Sequence, residues 1–192
     1  MAWYFAAVAQ LRAGRIVEYR ALCRDMLERS RGRLGQHEAL ARVCMMCPDD
    51  PDVVAEAAKV AEHALEVIPG NAYALYTAGL TDYRLGRYES ALKRIGASRE
   101  ANETAQMIIF RDTYRALTDL VEAMTLARLG RTGAAGEALA RAERLMAGHI
   151  PAEGSDGLYP AEWQEWAHCE IIHREARAVV EDAALWAEPF AP

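Results

Sequence analysis

The sequence predicts an all-α fold of stacked helix pairs, and three observations carry that expectation. Ala, Leu, Arg and Glu dominate while Val, Ile, Thr and Phe are sparse, so intrinsic propensity favours helix and no alternating strand pattern appears. The stretch from Asn71 to Ile95, NAYALYTAGLTDYRLGRYESALKRI, reads as two helices meeting at a corner made by Gly86. The same plan recurs around Gly14 and around Gly130. A single helix pair cannot bury its own apolar face, so each pair implies a neighbour.

Taken in order, the first unit covers about residues 1–34: a helix from Ala2, a corner at Gly14, and a second helix ending near the run Arg31 to Gly35. The second, 38–71, has Pro48-Asp49-Asp50-Pro51 as its corner, where aspartate suits an N-cap and proline a first turn. Its second helix carries Ala57, Ala61 and Ala64 and stops at Pro69-Gly70. The third unit, 72–105, places Ala91, Ile95 and Ser98 on its second helix. In the fourth, 116–149, Ala135, Leu139 and Ala142 repeat that spacing, and Gln106 to Arg115 reads as an insertion lengthening the helix before it. Pro151, Gly154, Gly157 and Pro160 mark a loop from Ile150 to Pro160. A final helix over about 160–185 uses Trp163, Trp166, Ile171 and Ala178 to cap the last exposed apolar face.

The 192 residues are 52% apolar, which suits one domain of ordinary size. A net charge of −6 with arginines scattered among acids argues against nucleic acid as main partner. Cys23, Cys44, Cys47 and Cys169 are too few and too irregular for a disulfide framework, so a reducing cytosol is the expected compartment. No apolar run is long enough to cross a bilayer. Trp3 places the first helix almost at Met1, as both a natural start and a segment of a longer polypeptide allow.

These units resemble tetratricopeptide repeats, whose period is about 34 residues. Gly79, Gly86, Tyr88, Ala91 and Ile95 match that pattern, as do Ala123, Gly130, Ala135, Leu139 and Ala142. Tyr19 departs from it at a position that is usually small, and Met45 where glycine is usual, which predicts looser or rotated packing there. A narrower resemblance covers nearly the whole chain, through AGRIVEYRALCRDMLER, GLTDYRLGRYESALKR, LARLGRTGAAGEALARAERL and EWQEWAHCEIIHREAR. It is to the repeat region that follows the catalytic domain in planctomycete-type bacterial serine/threonine protein kinases. The resemblance implies a right-handed superhelix of about four helix pairs and a regulatory or substrate-docking role without catalysis. A glycine-rich phosphate loop, a lysine strand and Asp-Phe-Gly are all missing, and His173-Arg174-Glu175 lacks the context of a kinase catalytic loop.

Cys44-Met45-Met46-Cys47 has the spacing of a metal or redox pair. Its place in the repeat instead predicts that Cys44 packs as a small hydrophobe. His168, Cys169 and His173 do not complete a tetrahedral site or the His-Glu-x-x-His geometry, so neither metal nor cofactor is expected. The resemblance implies instead a concave groove lined by first helices: Tyr4, Val8 and Arg12, then Arg42 and Met46, then Tyr73, Tyr76, Leu80, Tyr83 and Arg84, and finally Leu120, Met124 and Arg128. Aromatic side chains and arginines of this kind anchor protein or peptide partners. The alternative for each is packing against a neighbouring helix, with the arginines complementing helix C-terminal dipoles. The lysine and asparagine clamp that grips a terminal carboxylate in some such repeats has no counterpart here. Trp163, Trp166 and Trp186 exceed what one cap needs and point to contact with a second copy, and the tail from Trp186 to Pro192 is a candidate to fill the groove.

Overall fold

The computed structural model describes residues 2–30, 38–47, 50–104, 111–147, 149 and 163–181, all of them helix, turn or connecting chain. The Pro48-Asp49 half of the second corner, the loop from Ile150 to Pro160, and the C-terminal tail with Trp186 lie outside the described residues. Two compact units result, residues 1–105 and 106–192. Their boundary falls at the head of the segment that reads as an insertion.

The first unit holds α1 (Ala2–Arg12), α2 (Ile16–Ser30), α3 (Glu38–Cys44), α4 (Pro51–Val67), α5 (Ala72–Arg84) and α6 (Tyr88–Thr104). Successive helices pair as α1 with α2, α3 with α4 and α5 with α6, while α1, α3 and α5 also touch in sequence. Gly86 ends α5 in the left-handed region at φ 72°, which any Cβ would disfavour. Its N–H bonds the Tyr83 carbonyl at 3.0 Å, and the Arg87 N–H reaches back to the Asp82 carbonyl at 2.8 Å. Gly14-Arg15 and Gly130-Arg131 close α1 and the first helix of the second unit with the same pair of bonds. One Gly-Arg device thus makes three of the corners.

The fourth corner uses different chemistry. Asp50 caps α4, its carboxylate accepting from the Asp52 and Val53 N–H groups at 3.1 and 3.3 Å, and Pro51 opens the helix. Arg24 on α2 pairs with that carboxylate, Nε at 3.0 Å. Its guanidinium, ahead of the backbone donors, holds the Asp50 carboxyl below the usual carboxylate range. A group depressed in the fold stabilises it above the unfolded pKa of about 3.9, and that contribution is lost as pH falls through the folded value. Asp50→Ala is therefore expected to lower Tm at neutral pH, by an amount that shrinks as pH falls below about 3.9 and the native carboxyl takes up its proton. Thermal melts of both chains across pH read this directly, and an undiminished difference in acid would contradict it.

Helix α3 is only seven residues long and stops at Cys44; the Met45 and Met46 N–H groups still bond the Ala41 and Val43 carbonyls at 3.0 and 3.2 Å, while the carbonyls beyond the last turn take partners from elsewhere. Tyr19 supplies two: its buried hydroxyl donates to the Val43 carbonyl at 2.6 Å and accepts from the Cys47 N–H at 3.2 Å. Arg84 supplies more, its Nε donating to the Met45 carbonyl at 3.1 Å and its Nη2 to that of Met46 at 3.4 Å. The expected looseness around Tyr19 and Met45 is thus replaced by a stitched corner in which Met45 is fully buried. Tyr19→Phe keeps the ring and removes both hydroxyl bonds, leaving the Val43 carbonyl its bond from the Met46 N–H at 3.2 Å, and it is expected to cost about 2 kcal/mol in urea denaturation. A loss under about 0.5 kcal/mol would show that the hydroxyl is dispensable.

The second unit holds α7 (Arg111–Arg128), α8 (Thr132–Ala147) and α9 (Trp163–Glu181), each touching the other two. At 18 residues α7 exceeds the 13 of α5, and the excess includes Arg111 to Arg115 of the insertion. Ala135, Leu139 and Ala142 are buried, as are Ala91, Ile95 and Ser98 in α6 and Ala57, Ala61 and Ala64 in α4. On α9 the buried face runs through Trp166, Cys169, Ile172, Ala176 and Val179. This corrects the expected face: Ile171 is half-buried and Ala178 exposed, because the packed stripe lies one residue further along the helix.

Candidate partner-binding surface

In the first unit, several residues predicted to line a groove are instead joined to one another. The Arg42 guanidinium lies over the Tyr4 ring, 4.9 Å from its centroid, and Arg42 Nε is 3.2 Å from Glu38 Oε1. Thr77 on α5 donates its hydroxyl to the same Glu38 oxygen at 2.6 Å. A polar track therefore ties α1 to α3 and α3 to α5, with Arg42 buried along it. Farther along α5, Arg84 sits over the Tyr83 ring at 5.3 Å while it bonds the end of α3.

Burial separates the predicted residues sharply. Tyr4, Val8, Arg42, Met46, Tyr76, Leu80 and Tyr83 are buried, and in the second unit so are Leu120 and Met124. They offer almost no side-chain surface to a partner, which corrects their expected projection into an open groove. The reason is visible on α5, where every residue from Tyr76 to Tyr83 is buried and the helix touches α3, α4 and α6. Helix α7 behaves alike, with an unbroken buried run from Ala116 to Val121. Of the predicted residues Arg12 is exposed, and Tyr73, Arg84 and Arg128 are half-buried.

Tyr73 opens onto a cavity, a space of about 310 Å³ in the first unit. Glu38, Ala39, Ala64, Val67, Ile68 and Asn71 complete its wall. Val67 and Ile68 are 49% and 41% exposed, and with Val17 they are the exposed large hydrophobic residues among those described. Two polar groups on the rim are already engaged: Glu38 by Arg42 and Thr77, and Asn71 as N-cap of α5, accepting from Tyr73 N at 3.0 Å and Ala74 N at 3.1 Å. The cavity therefore has apolar walls, an oriented carboxylate at one edge and room for one or two side chains of a partner.

The sequence reading missed Val67 and Ile68. Ile68 stands four residues after Ala64, so helical period assigns it to the buried stripe of α4. It is instead the residue where the backbone leaves the helix, at φ −129° and ψ 63°, and the stripe ends before it. Pro69-Gly70 directly after it was the available signal, since a stop signal there frees the preceding apolar residues from the helix register.

The second unit has its own cavity, about 390 Å³, between α8 and α9, lined by Glu143, Met146, Ala147, Glu170, His173 and Arg174. His173 Nε2 lies 2.9 Å from Glu143 Oε1 there. Cys169, fully buried, turns its sulfur to the Thr113 carbonyl at 3.6 Å, and His168 is fully buried beside it. Among the described residues no three His, Cys, Asp or Glu side chains are grouped to hold a metal ion. Among them, too, no helix is long and apolar enough to cross a membrane.

Compared with protein-family models, with curated proteins and with solved structures, the chain matches none.

Proposed function

We propose that this protein is a non-catalytic helical-repeat interaction module of tetratricopeptide type, its helix pairs belonging to a right-handed superhelical array. It binds an apolar peptide or protein segment at the Tyr73 cavity. The single observation that carries the reading is the exposed Val67-Ile68 pair beside that cavity, since an exposed apolar patch rimmed by polar groups is a usual mark of a docking site. The repeated Gly-Arg corner and the contacts of α1, α3 and α5 support the repeat assignment. The alternative that the resemblance to kinase repeat regions implies is that the chain is a regulatory or substrate-docking C-terminal region of a serine/threonine kinase polypeptide.

The mechanism is burial. A leucine-sized or aromatic side chain entering the cavity removes its own surface and that of Val67, Ile68 and Tyr73 from water. Selection from a displayed random-peptide library on the intact chain tests the reading. Enriched peptides should share an apolar anchor, and Ile68→Glu, which sets a charge at the mouth without touching the core, should abolish enrichment. Failure to enrich any sequence, or equal enrichment on the variant, would overturn it.

A further inference from the structure

The Tyr73 cavity opens where α4 stops. That helix ends at Val67, which lines the cavity with Ile68, and residues 66–70 are all exposed, so the C-terminal pole of a 17-residue helix meets water at the mouth. Its aligned peptide dipoles place a partial negative charge there, which a cation in the last turn ordinarily offsets. The chain follows that rule six times: Arg12, Arg29, Arg42, Arg84, Arg128 and Arg144 stand in the last turns of α1, α2, α3, α5, α7 and α8. Helix α4 breaks it. Its last turn holds no base and one acid, Glu66, whose side chain is 76% exposed. Helices α6 and α9 also end without a base, but their last turns line neither of the two cavities.

The cations around α4 are engaged elsewhere. Arg94 Nη1 lies 2.8 Å from Glu62, one turn before Glu66, and Lys59 Nζ lies 2.6 Å from Glu56. Arg42 is 3.2 Å from Glu38 on the far wall. Glu66 Oε2 meets His63 Nδ1 at 3.3 Å, a ring that carries charge only when protonated. The N-terminal pole of α5 faces the same mouth, but its Tyr73 and Ala74 N–H groups donate to Asn71. Among the described residues no Lys or Arg lines the cavity, so an apolar mouth stands beside a negative helix end. At α3 the protein closes such an end from outside the helix: Arg84 reaches over from α5 to the Met45 and Met46 carbonyls.

We propose that the segment taken by the Tyr73 cavity carries a lysine or arginine beside its apolar anchor, and that this cation seats at the end of α4, against the last carbonyls and Glu66. The inference rests on the reading of the cavity as a docking site and adds charge complementarity to it. Glu66 is two positions from both Ala64 and Ile68, which turns it to the side of α4 away from the cavity wall. The cation therefore lies outside the cavity, across the helix end, while the anchor fills the space within. About three extended residues span the roughly 10 Å breadth of a helix, which sets the spacing between anchor and cation. Arginine suits the place best, since its planar fork can bridge a carbonyl and a carboxylate. An acidic residue at the same spacing meets like charge and is rejected.

Peptides selected on the intact chain from a displayed random library test the inference. Enriched sequences are expected to hold Lys or Arg within about three positions of the apolar anchor. Replacing that residue by glutamine in a synthetic enriched peptide should weaken binding about fivefold at low salt and by less at about 0.5 M salt. Glu66→Lys, which sets a base at an exposed last-turn position that favours one, should keep the apolar anchor in its selected peptides and lose the basic residue. Apolar anchors without a basic excess, equal affinity for the basic and glutamine peptides, or the same basic peptides selected by Glu66→Lys would overturn the inference and leave binding at the cavity standing. Failure of the wild-type chain to enrich any sequence would overturn both.

Discussion

Tyr76→Ala is expected to destabilise the first unit by about 4 kcal/mol, the range for truncating a large buried aromatic side chain. Tyr76 is 0% exposed at the middle of α5, where its ring is enclosed and the neighbours cannot collapse fully into the space left behind. Urea denaturation followed by circular dichroism measures this as a fall in midpoint with little change in slope. The magnitude discriminates between two placements of the ring. A tyrosine projecting into an open groove would cost less than about 1 kcal/mol on truncation, and a loss that small would contradict the packing described here. Loss of partner binding by this variant would accordingly report unfolding and not a missing contact.

Gly79→Val should cost about 3 kcal/mol, by overpacking where Tyr76→Ala leaves a void. A Cβ at position 79 would stand 2.8 Å from Ile95 Cδ1, 2.9 Å from Ile95 Cγ1 and 3.4 Å from the Ile95 backbone nitrogen. The distal atoms of Ile95 could yield to a single methyl, but Ile95 is itself buried and the α6 backbone stands directly behind it. Alanine is therefore the milder change, and valine, with two further methyl groups, must push the helices apart. Ile95→Val removes Cδ1 and should recover part of the loss in Gly79→Ala. Equal denaturation midpoints for Gly79→Val and wild type would show that α5 and α6 do not approach through this glycine.

These two positions also show what a sequence can and cannot carry. Gly79, Gly86 and the alanine stripes were legible, because close approach and left-handed backbone admit few residue types and helical period marks a packed face locally. The aspartate cap at Asp50 was legible for the same reason, since capping is chemistry between neighbours in the chain. The open side of α5 was not legible. Period says that Tyr76, Leu80 and Tyr83 share a face, but whether that face meets water depends on elements distant in sequence, and here it is covered. A tyrosine suits a groove and a core equally well, so residue type could not decide. Tyr19 was read as a departure from the repeat pattern, and it is one, but its hydroxyl answers a need created by the early end of α3. The Tyr73 cavity was half legible: Tyr73 was named, while Val67 and Ile68 escaped because the stripe they extend stops at the helix end.

Binding at that cavity is the claim on which the functional account turns. Isothermal titration of a library-selected peptide into wild-type chain, Ile68→Glu and Tyr73→Ala, with thermal melts confirming that all three are folded, tests it most directly. The account predicts saturable one-to-one binding to wild type, at least tenfold weaker binding to each variant and unchanged Tm. Equal affinity for all three folded chains would contradict it.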